Sequence, residues 1–507
     1  MTVAALRALH AVIGSAIDEI EEVYKSQSAN TGLPLDYPSL DVPYYSTRTN
    51  APEVDKSEEL RTEPIVFGAA NKIVAACGQI TATVHKPFFS LIESVNGGNV
   101  IACMQFLEAT HVVEILREAG SDGASVKDIA NKATEIRRSK DPKAAEIDSS
   151  KLSHVLRLLA TYHWVRELRP DVFANNRLSS FIDSGKSTEQ LKASVETKYD
   201  ETDGVAAFVA MSTDEVAKIQ TGLSPWLLGG GPATGYASPF NLAFDTQLKY
   251  YEWLEEPGNE SRLRRFGHSM NGTRYWELAE NIIHGFTWDK LPQDAVVVDV
   301  GGGIGSVSVT LSEAYPHLRF VVEDRAPVVA VAPQSWGHRH AELFSSGRVS
   351  FHAQDFLEPR QPFTVPGVGT VNEPHVFLLR AVLHNWPDEN VHEILTHLRR
   401  AAGPHTRLLV VDNLLPYACI DEDSETSQGD SEGAVRSLVP DGSPLLPNLG
   451  RASANGYLLD ISMLGMMNAK ERTYREMDAL LRSAGWQISR VKRAVGSLWA
   501  YTAAEPI

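Results

Sequence analysis

The sequence predicts an α/β protein in which a helical N-terminal half precedes a doubly wound, mostly parallel sheet. From Ala295 onward, short apolar runs alternate with helical stretches, and uniformly apolar strands are typical of a parallel sheet that is buried on both faces. A glycine-rich turn directly follows the first run, and a helix is expected to begin near Ser306. Before residue 286 the apolar residues recur at helical spacing instead.

The C-terminal part, residues 286–507, contains the predicted sheet. Five apolar runs are expected to be its parallel strands: Val296–Val300, Phe320–Val322, Val349–His352, Val376–Leu379 and Leu408–Val411. Two further runs, Trp486–Val491 and Leu498–Ala503, are joined by a short link, which permits an antiparallel pair at the sheet edge. The acidic stretch Cys419–Ser453 is expected to be a mobile, solvated loop.

Residues 1–285 divide into three predicted segments. Residues 1–95 are expected to be a helical N-terminal extension, whose first helix carries an apolar stripe suited to a packing or dimer surface. Residues 96–185 combine three helices with two short strands, which is typical of a winged helix that either binds DNA or packs against a partner. Residues 186–285 are predicted to be a helical connector that could supply walls for a substrate pocket, with helices at Thr246–Leu254 and Arg262–Ile283.

The winged-helix prediction depends on local signals. Ser125, with Asp128 three residues later, resembles a capping box at the start of a helix. Apolar residues at positions i, i+3, i+4 and i+7 predict a later helix that buries one face: Leu152, Val155, Leu156 and Leu159. The two strands are expected at Trp164–Leu168 and Val172–Ala174.

Composition narrows the class of protein. The 507 residues include 47 basic and 64 acidic side chains, and the formal charge of −17 repels phosphate backbones and anionic lipid. Neither nucleic acid nor a membrane is therefore an expected partner. Cys77, Cys103 and Cys419 are too widely spaced for a disulfide framework or a cysteine-based zinc site. No signal peptide is recognisable and no apolar run approaches the ~18 residues of a membrane span, so a cytoplasmic protein is expected.

The strongest local signal is the turn D-V-G-G-G-I-G at Asp299–Gly305. Gly301, Gly302 and Gly303 allow the backbone to approach a ligand closely, ahead of a helix N-terminus. The turn lacks the last glycine of the dinucleotide-binding pattern G-x-G-x-x-G. No Walker lysine follows it either, which excludes a P-loop. Asp299 is unfavourable for a pyrophosphate and suits a ligand that carries a cationic amino group.

Further carboxylates follow the next two strands. Asp324 stands about 20 residues beyond the turn, where an acid reaches ribose hydroxyls in nucleotide-binding folds. Asp355 and Phe356 follow the third strand and suit the edge and face of an adenine. One such acid could be an ordinary helix cap, but three together weaken that explanation. S-adenosylmethionine (SAM), with its ammonium, sulfonium and ribose diol, is the cofactor that these residues predict.

Three later segments carry a family resemblance: L-R-A-V-L-H-N-W-P-D-E at 379–389, V-V-D-N-L-L-P at 410–416 and N-A-K-E-R-T at 468–473. Over residues 97–507 the chain resembles the class I O-methyltransferases of plants and fungi that methylate phenols, and especially the fungal members acting on polyketide and related aromatic metabolites. The resemblance implies a Rossmann-like methyltransferase domain, a winged-helix module used for homodimerisation, and methyl transfer from SAM to a phenolic hydroxyl of a small aromatic secondary metabolite.

The resemblance also implies roles for single residues. His384 is the expected general base, Asp412 the carboxylate that orients it, and Glu471 a second flanking carboxylate. The implied cofactor positions are Gly301, Gly302, Asp324, Asp355, Phe356 and Arg380. Two departures stand out, because the plant enzymes mostly have Asp where Asn385 stands and the longer Glu at the position of Asp412.

A physical argument independently favours His384 as the base. A phenol has a pKa near 10, so forming its phenolate at pH 7 costs roughly 4 kcal/mol. A neutral imidazole can take this proton while the hydroxyl oxygen attacks the methyl group. The alternative is a buried structural histidine, which the matching positions of Trp386, Asp412 and Glu471 make less credible.

The acceptor side and metal binding give weaker signals. Met463 and Asn468 are predicted to contact the acceptor, although the helical spacing of Met463 and its neighbouring methionines also suits core packing. No metal site is expected, because His392-Glu393 and His397 are one residue too far apart for the pattern H-E-x-x-H.

Two other hypotheses remain open. The chain could be a winged-helix regulator with a vestigial cofactor domain, which would bind duplex DNA tightly without transferring a methyl group. It could also be an N- or C-methyltransferase on a related fold. In that case His384→Ala should cost little activity, because removing a proton matters less.

Overall fold

The computed structural model describes residues 2–46, 50–336, 340–421, 437–494 and 496–507. They fold into two compact units. Unit 1 contains Ala11–Ala70 and Ile80–Tyr275, and unit 2 contains Thr2–His10, Asn71–Gln79 and Trp276–Ile507. The N-terminal extension therefore contributes residues to each unit.

Helices form most of the chain before Trp276. They are α1 Val3–Thr31, α2 Pro52–Leu60, α3 Pro64–Val84, α4 Pro87–Val95, α5 Gly97–Ala109, α6 Val112–Ala119, α7 Val126–Lys140, α8 Ser149–Thr161, α9 Arg177–Ser180, α10 Thr188–Ala193, α11 Val205–Met211, α12 Ala217–Leu228, α13 Pro239–Phe244, α14 Tyr250–Glu255 and α15 Glu260–Gly272. A core of apolar side chains from α5 to α8 is buried in unit 1.

The predicted elements of residues 96–185 are present. The Ser125 hydroxyl accepts the backbone N–H of Asp128 at 3.2 Å and caps α7. Leu152, Leu156 and Leu159 of α8 are buried, as the spacing predicts. The strands β1 Ala124–Ser125, β2 Arg166–Arg169 and β3 Val172–Ala174 form an antiparallel sheet with β3 in the centre.

The connector differs from the prediction in two places. The expected helix Thr246–Leu254 starts only at Tyr250, because the Asn241 side chain donates to the carbonyls of Thr246 and Leu248 at 3.0 and 2.8 Å. The expected helix Arg262–Ile283 ends at Gly272. The next turn is a 3₁₀ turn, and the Trp276 carbonyl accepts the N–H of Leu498 at 2.8 Å in place of a helical partner.

Unit 2 is built on the predicted sheet. Its strands are β4 Ala295–Val300, β5 Leu318–Asp324, β6 Val349–Ala353, β9 Val376–Arg380, β10 Arg407–Asp412, β13 Trp486–Arg493 and β14 Ala500–Pro506. They lie in the order β13-β14-β10-β9-β4-β5-β6. Neighbours from β6 to β10 are parallel, whereas β14 pairs antiparallel with both β10 and β13. The mostly parallel sheet with an antiparallel edge is therefore confirmed.

Helices and short ladders complete unit 2. The helices are α16 Glu280–His284, α17 Ser306–Ala314, α18 Ala326–Trp336, α19 Ala341–Ser345, α20 Asp388–Arg400, α21 Ala454–Met467 and α22 Tyr474–Ser483. The ladders are the hairpin of β7 Phe363–Val365 with β8 Gly369–Val371, and the parallel pair of β11 Leu414–Leu415 with β12 Arg472–Thr473. Every residue of β4 is buried, as expected of a strand covered on both faces.

The extension and the acidic stretch meet within unit 2. The Gln79 side chain of α3 donates to the Pro444 carbonyl and accepts the Leu446 N–H, both at 3.0 Å. These contacts hold the segment that leads into α21. The remainder of the predicted mobile loop, residues 422–436, lies outside the described residues.

α3 departs from the expectation about membrane spans. By length and composition it could cross a membrane, and 22% of its most apolar 18-residue window is buried among the described residues. The α5 helix and the segment Val112–Asp122 pass the same test only as a pair bent by 63°. The sequence analysis missed α3 because Asn71, Lys72 and Gln79 interrupt its apolar residues.

Candidate active site

The predicted site residues of unit 2 gather where its parallel strands end. The turn glycines directly follow β4. Asp324, Arg380 and Asp412 are the last residues of β5, β9 and β10, respectively. Ligands of open α/β sheets bind at this carboxyl edge.

The glycine turn is pinned to the neighbouring strand. The N–H groups of Gly301 and Gly302 donate to the Glu323 carbonyl at 2.7 and 3.1 Å. A Cβ on Gly302 would lie 2.6 Å from Cγ of Asp299, so only glycine fits there without displacing that carboxylate. Gly301 has φ +71°, and a Cβ there would lie 3.0 Å from Val382 and 3.6 Å from Phe356, so the turn is tight at this residue. A Cβ on Gly303 would meet no atom within 4 Å, so the turn is open there.

Asp299 is a buried carboxylate beneath this turn. It accepts the Ser308 hydroxyl at 2.7 Å, and burial raises its pKa to about 6, with the nearby charges of Asp324 and Glu323 adding to the effect. A ligand that brings a positive charge would favour the ionised form.

Asp324 and Glu323 point to different partners. Asp324 accepts the N–H groups of Gly303 and Arg325 at 2.9 and 2.8 Å, which places its carboxylate at the turn. The Glu323 carboxylate instead accepts Arg360 at 2.5 Å and contacts His352. Of this acidic pair, Asp324 is therefore the one available at the glycine turn.

Asp355 and Phe356 follow β6. The carboxylate of Asp355 accepts the Leu357 N–H at 2.9 Å and is exposed. The Phe356 ring stands perpendicular to Trp386 at 5.5 Å and lies beside Gly301. An aromatic face thus adjoins the glycine turn, as the prediction for an adenine requires.

Arg380 ends β9 and is held by a residue that the sequence analysis missed. Its guanidinium donates twice to Oε1 of Glu277, at 2.8 and 2.5 Å. The Tyr501 hydroxyl donates to the other Glu277 oxygen at 2.5 Å. No sequence signal connects Glu277 with Arg380, because 103 residues separate them.

His384 lies in the 3₁₀ turn that follows β9. Its Nδ1 donates to Oε1 of Glu471 at 2.6 Å, and both side chains are buried. Burial alone would lower the pKa of His384, but the charge and the hydrogen bond of Glu471, helped by the charge of Asp412, raise it above the usual 6.5. The hydrogen bond fixes Nδ1 as the protonated nitrogen, which leaves Nε2 free to accept a proton.

The roles of Asp412 and Glu471 in the structure differ from those that the family resemblance implies. Asp412 is buried at the end of β10, and within the described residues its carboxylate makes no hydrogen bond to the imidazole but meets the backbone N–H of His384. Glu471, not Asp412, contacts the imidazole. Asp412 is one methylene shorter than the Glu of the plant pattern, which agrees with this exchange. Burial, together with the Glu471 charge, raises the pKa of Asp412 to about 6.

Trp499 is a second residue that the sequence analysis missed. Its buried ring stands perpendicular to the imidazole of His384 with centroids 5.7 Å apart. The Arg380 guanidinium lies 5.8 Å from the same ring, and Trp276 packs edge-on against it at 5.7 Å. These contacts shield one side of His384 from water.

The predicted acceptor residues lie on α21 and at its end. Met463 is buried and Asn468 caps the helix with φ +52°. No described hydrogen bond joins either residue to His384. Asp460 of the same helix accepts the Glu471 N–H at 2.9 Å, so α21 supports the carboxylate of the pair. In the part of the chain that the structure describes, no group of three or more possible metal ligands is present.

Comparison with known proteins identifies the family. A model of the O-methyltransferase domain matches residues 239–437. An O-methyltransferase of Armillaria gallica is 36% identical over 96% of this chain and 95% of its own length. The 4-O-methyltransferase 1 of Phanerochaete chrysosporium is 34% identical over 96% of each chain. The chain belongs to the SAM-dependent O-methyltransferases.

The fold of this methyltransferase is shared with solved structures. The structure of LepI in complex with SAM matches with a TM-score of 0.61 over 90% of this chain and 99% of that one, at 16% identity. SAM is the cofactor of the family, and the residues at the sheet edge fit it. The buried carboxylate of Asp299 can balance a cation, the glycine turn is open at Gly303, and Asp324 and Phe356 lie beside the turn.

Proposed function

We propose that this enzyme transfers a methyl group from SAM to a phenolic hydroxyl of a small aromatic secondary metabolite, with His384 as the general base. The observation that carries the proposal is the buried 2.6 Å hydrogen bond between His384 Nδ1 and Glu471. It gives the imidazole one defined tautomer and a raised pKa, both of which suit proton removal from a weak acid.

The enzyme's own residues supply the proton chemistry. His384 accepts the hydroxyl proton at Nε2, and the Glu471 carboxylate stabilises the imidazolium that forms. Trp499 limits water around the ring, which strengthens this electrostatic contact. SAM, when bound, supplies an activated methyl group on a sulfonium. Asp299, the turn glycines 301–303, Asp324, Asp355, Phe356 and Arg380 are the residues that we propose to hold it.

The surroundings of His384 favour an aromatic acceptor. Trp276 and Trp499 present aromatic surface next to the base. Met463 and Asn468 on the adjoining helix end remain our candidates for the far side of the acceptor. A flat ring gains more than an aliphatic alcohol from such contacts, and a phenol is also the easier hydroxyl to deprotonate.

Methyl transfer from labelled SAM to a panel of phenols, amines and duplex DNA tests the proposal. We expect turnover on phenols, and a loss of roughly 10²–10⁴-fold in His384→Ala, the contribution of a positioned base. His392→Ala is the matched control, since His392 is an exposed histidine of α20 that bonds Ser483. S-adenosylhomocysteine should bind both variants equally. Turnover on amines with little loss in His384→Ala would indicate N-methylation, and DNA binding without transfer a regulator.

We also propose that the enzyme is a homodimer. No residue of α4 is buried, and Phe88, Phe89, Leu91 and Val95 are 66, 53, 55 and 67% exposed. An exposed apolar patch of this kind marks an interaction surface. Light scattering should give twice the chain mass for the wild type and the chain mass for the double variant Phe88→Asp/Leu91→Asp. We expect the dimer to stay in the soluble fraction, because dimerisation would cover the apolar surface of α4.

A further inference from the structure

The base lies in a short loop whose backbone is held by one buried cation. We name residues Ala381–Trp386 the base loop, and we propose that Arg472 is a positioning residue that fixes His384 through it. This inference rests on the proposed function, because it assigns Arg472 an effect on the base. Arg472 is 1% exposed and touches neither the glycine turn nor the imidazole in any described hydrogen bond.

The guanidinium of Arg472 donates hydrogen bonds to backbone carbonyls before and after His384 in the sequence. Nη1 donates to the Leu383 carbonyl at 3.0 Å, and Nη2 donates to the Trp386 carbonyl at 2.8 Å. These carbonyls belong to the residues on either side of His384 and Asn385. A planar, rigid fork that grips both sides of a turn fixes its orientation more firmly than a single hydrogen bond does.

A carboxylate anchors this fork. Asp388, at the start of α20, accepts Nε and Nη2 of Arg472 at 3.0 and 2.8 Å. Lys470 also contacts Asp388 at 2.9 Å. The positive charge buried beside the base is therefore paired, and the direction of the guanidinium is set by a residue outside the base loop.

The base loop needs this support because its backbone is strained. Ala381 has φ +54°, a left-handed conformation that a residue with a Cβ rarely adopts. The Asn385 amide donates to the Ala381 carbonyl at 3.0 Å, which the Asp of the plant pattern could do only when protonated. Asn385 thus satisfies the carbonyl of the strained residue, and Arg472 satisfies carbonyls on both sides of His384.

The β11–β12 ladder positions His384 through two neighbouring residues. In the β11–β12 ladder Arg472 pairs with Leu414, which lies two residues after Asp412. Glu471 directly precedes Arg472. Glu471 holds the imidazole ring while Arg472 holds the backbone that carries it. Loss of Arg472 should therefore displace His384 more than Asp299 and Asp324, whose carboxylates are held by Ser308, Gly303 and Arg325 outside the base loop.

Steady-state kinetics of Arg472→Lys and Arg472→Met test this inference. We expect kcat to fall about 100-fold for Met and about 10-fold for Lys, since a misplacement near 1 Å costs rates of this size. The KM for the phenol and the Kd for S-adenosylhomocysteine should change by less than kcat does, because Arg472 makes no described hydrogen bond to the proposed cofactor residues and the base loop meets them through Val382 and Trp386. Arg482→Met is the matched control, since Arg482 pairs with Asp478 on the surface of α22 and should leave kcat unchanged.

The double variant His384→Ala/Arg472→Lys separates positioning from other effects. If Arg472 acts through His384, the double variant is no slower than His384→Ala. Additive losses, or a wild-type kcat in both Arg472 variants, would overturn the inference. Should the Met variant fail to fold, the Lys variant and Asp388→Asn decide by the same comparison. A His384→Ala enzyme with full activity would instead overturn the proposed function.

Discussion

Glu471 receives a 2.6 Å hydrogen bond from Nδ1 of His384, while the nearby Asp412 carboxylate makes no described hydrogen bond to that ring and meets the backbone N–H of His384 instead. The two carboxylates should therefore contribute unequally. Glu471 orients the ring and stabilises its positive charge through direct contact. Asp412 acts on the ring only through its charge.

Replacement of each carboxylate by its amide should reveal this difference. We expect Glu471→Gln to lower kcat about 10- to 100-fold, part of the roughly 10²–10⁴-fold that a base contributes, and Asp412→Asn to lower it less. Because Glu471 raises the pKa of His384, the acid limb of the kcat/KM profile should lie above pH 6.5 in wild type and move downward in Glu471→Gln. Equal losses in both variants, or an acid limb that does not move, would contradict the assignment.

The Asp299 carboxylate should lower the stability of the folded chain and strengthen cofactor binding. Its pKa in the folded chain is about 6, above the ordinary 3.8, so ionisation opposes folding and stability falls as pH rises between these values. About two pH units correspond to about 3 kcal/mol, on the order of what Asp299→Asn should gain at pH 7.5. The gain should vanish below about pH 4, where both chains are neutral at this position.

Urea unfolding at several pH values, with titration of S-adenosylhomocysteine, measures both effects of Asp299→Asn. Affinity should fall at least about tenfold, because a neutral amide cannot balance the cationic amino group. A variant that binds the ligand as wild type does would remove Asp299 from the cofactor site.

Gln79 should stabilise the segment that leads into α21. Its amide makes two hydrogen bonds to the backbone of Pro444 and Leu446. We expect Gln79→Ala to lower the free energy of unfolding by about 0.5–1.5 kcal/mol, the net contribution of a hydrogen bond, because one of these two contacts is partly buried and the other is exposed. Hydrogen exchange should rise at residues 437–450 and stay unchanged at β4. Unchanged exchange in that segment would show that α3 does not order it.

Much of the sheet could be predicted because its physical causes are local. The run 296–300 is apolar except for Asp299, and burial on both faces of a parallel sheet favours such a run. The glycine turn that follows carries its own backbone requirement. His384, Asp324 and Phe356 could be located because Asp324 ends a strand and the other two lie within four residues of a strand end.

The rest depends on contacts between distant parts of the chain. Glu277 and Trp499 reach the site only through folding, and no pattern in their own neighbourhoods marks them. Glu471 contacts the imidazole in place of Asp412, and this depends on the shorter side chain of Asp412 and on the pairing of β11 with β12. The helix expected at Thr246–Leu254 begins late because of a side chain, Asn241, that precedes it.

The central claim is that His384 takes the proton of the acceptor hydroxyl. Single-turnover methyl transfer by wild type and His384→Ala, on phenols with pKa values from about 10 down to about 7, tests it most directly. We expect a large wild-type advantage on the weakest acids that shrinks steadily as the phenol becomes able to ionise alone. An advantage that is the same for every phenol, or absent for all, would contradict the claim.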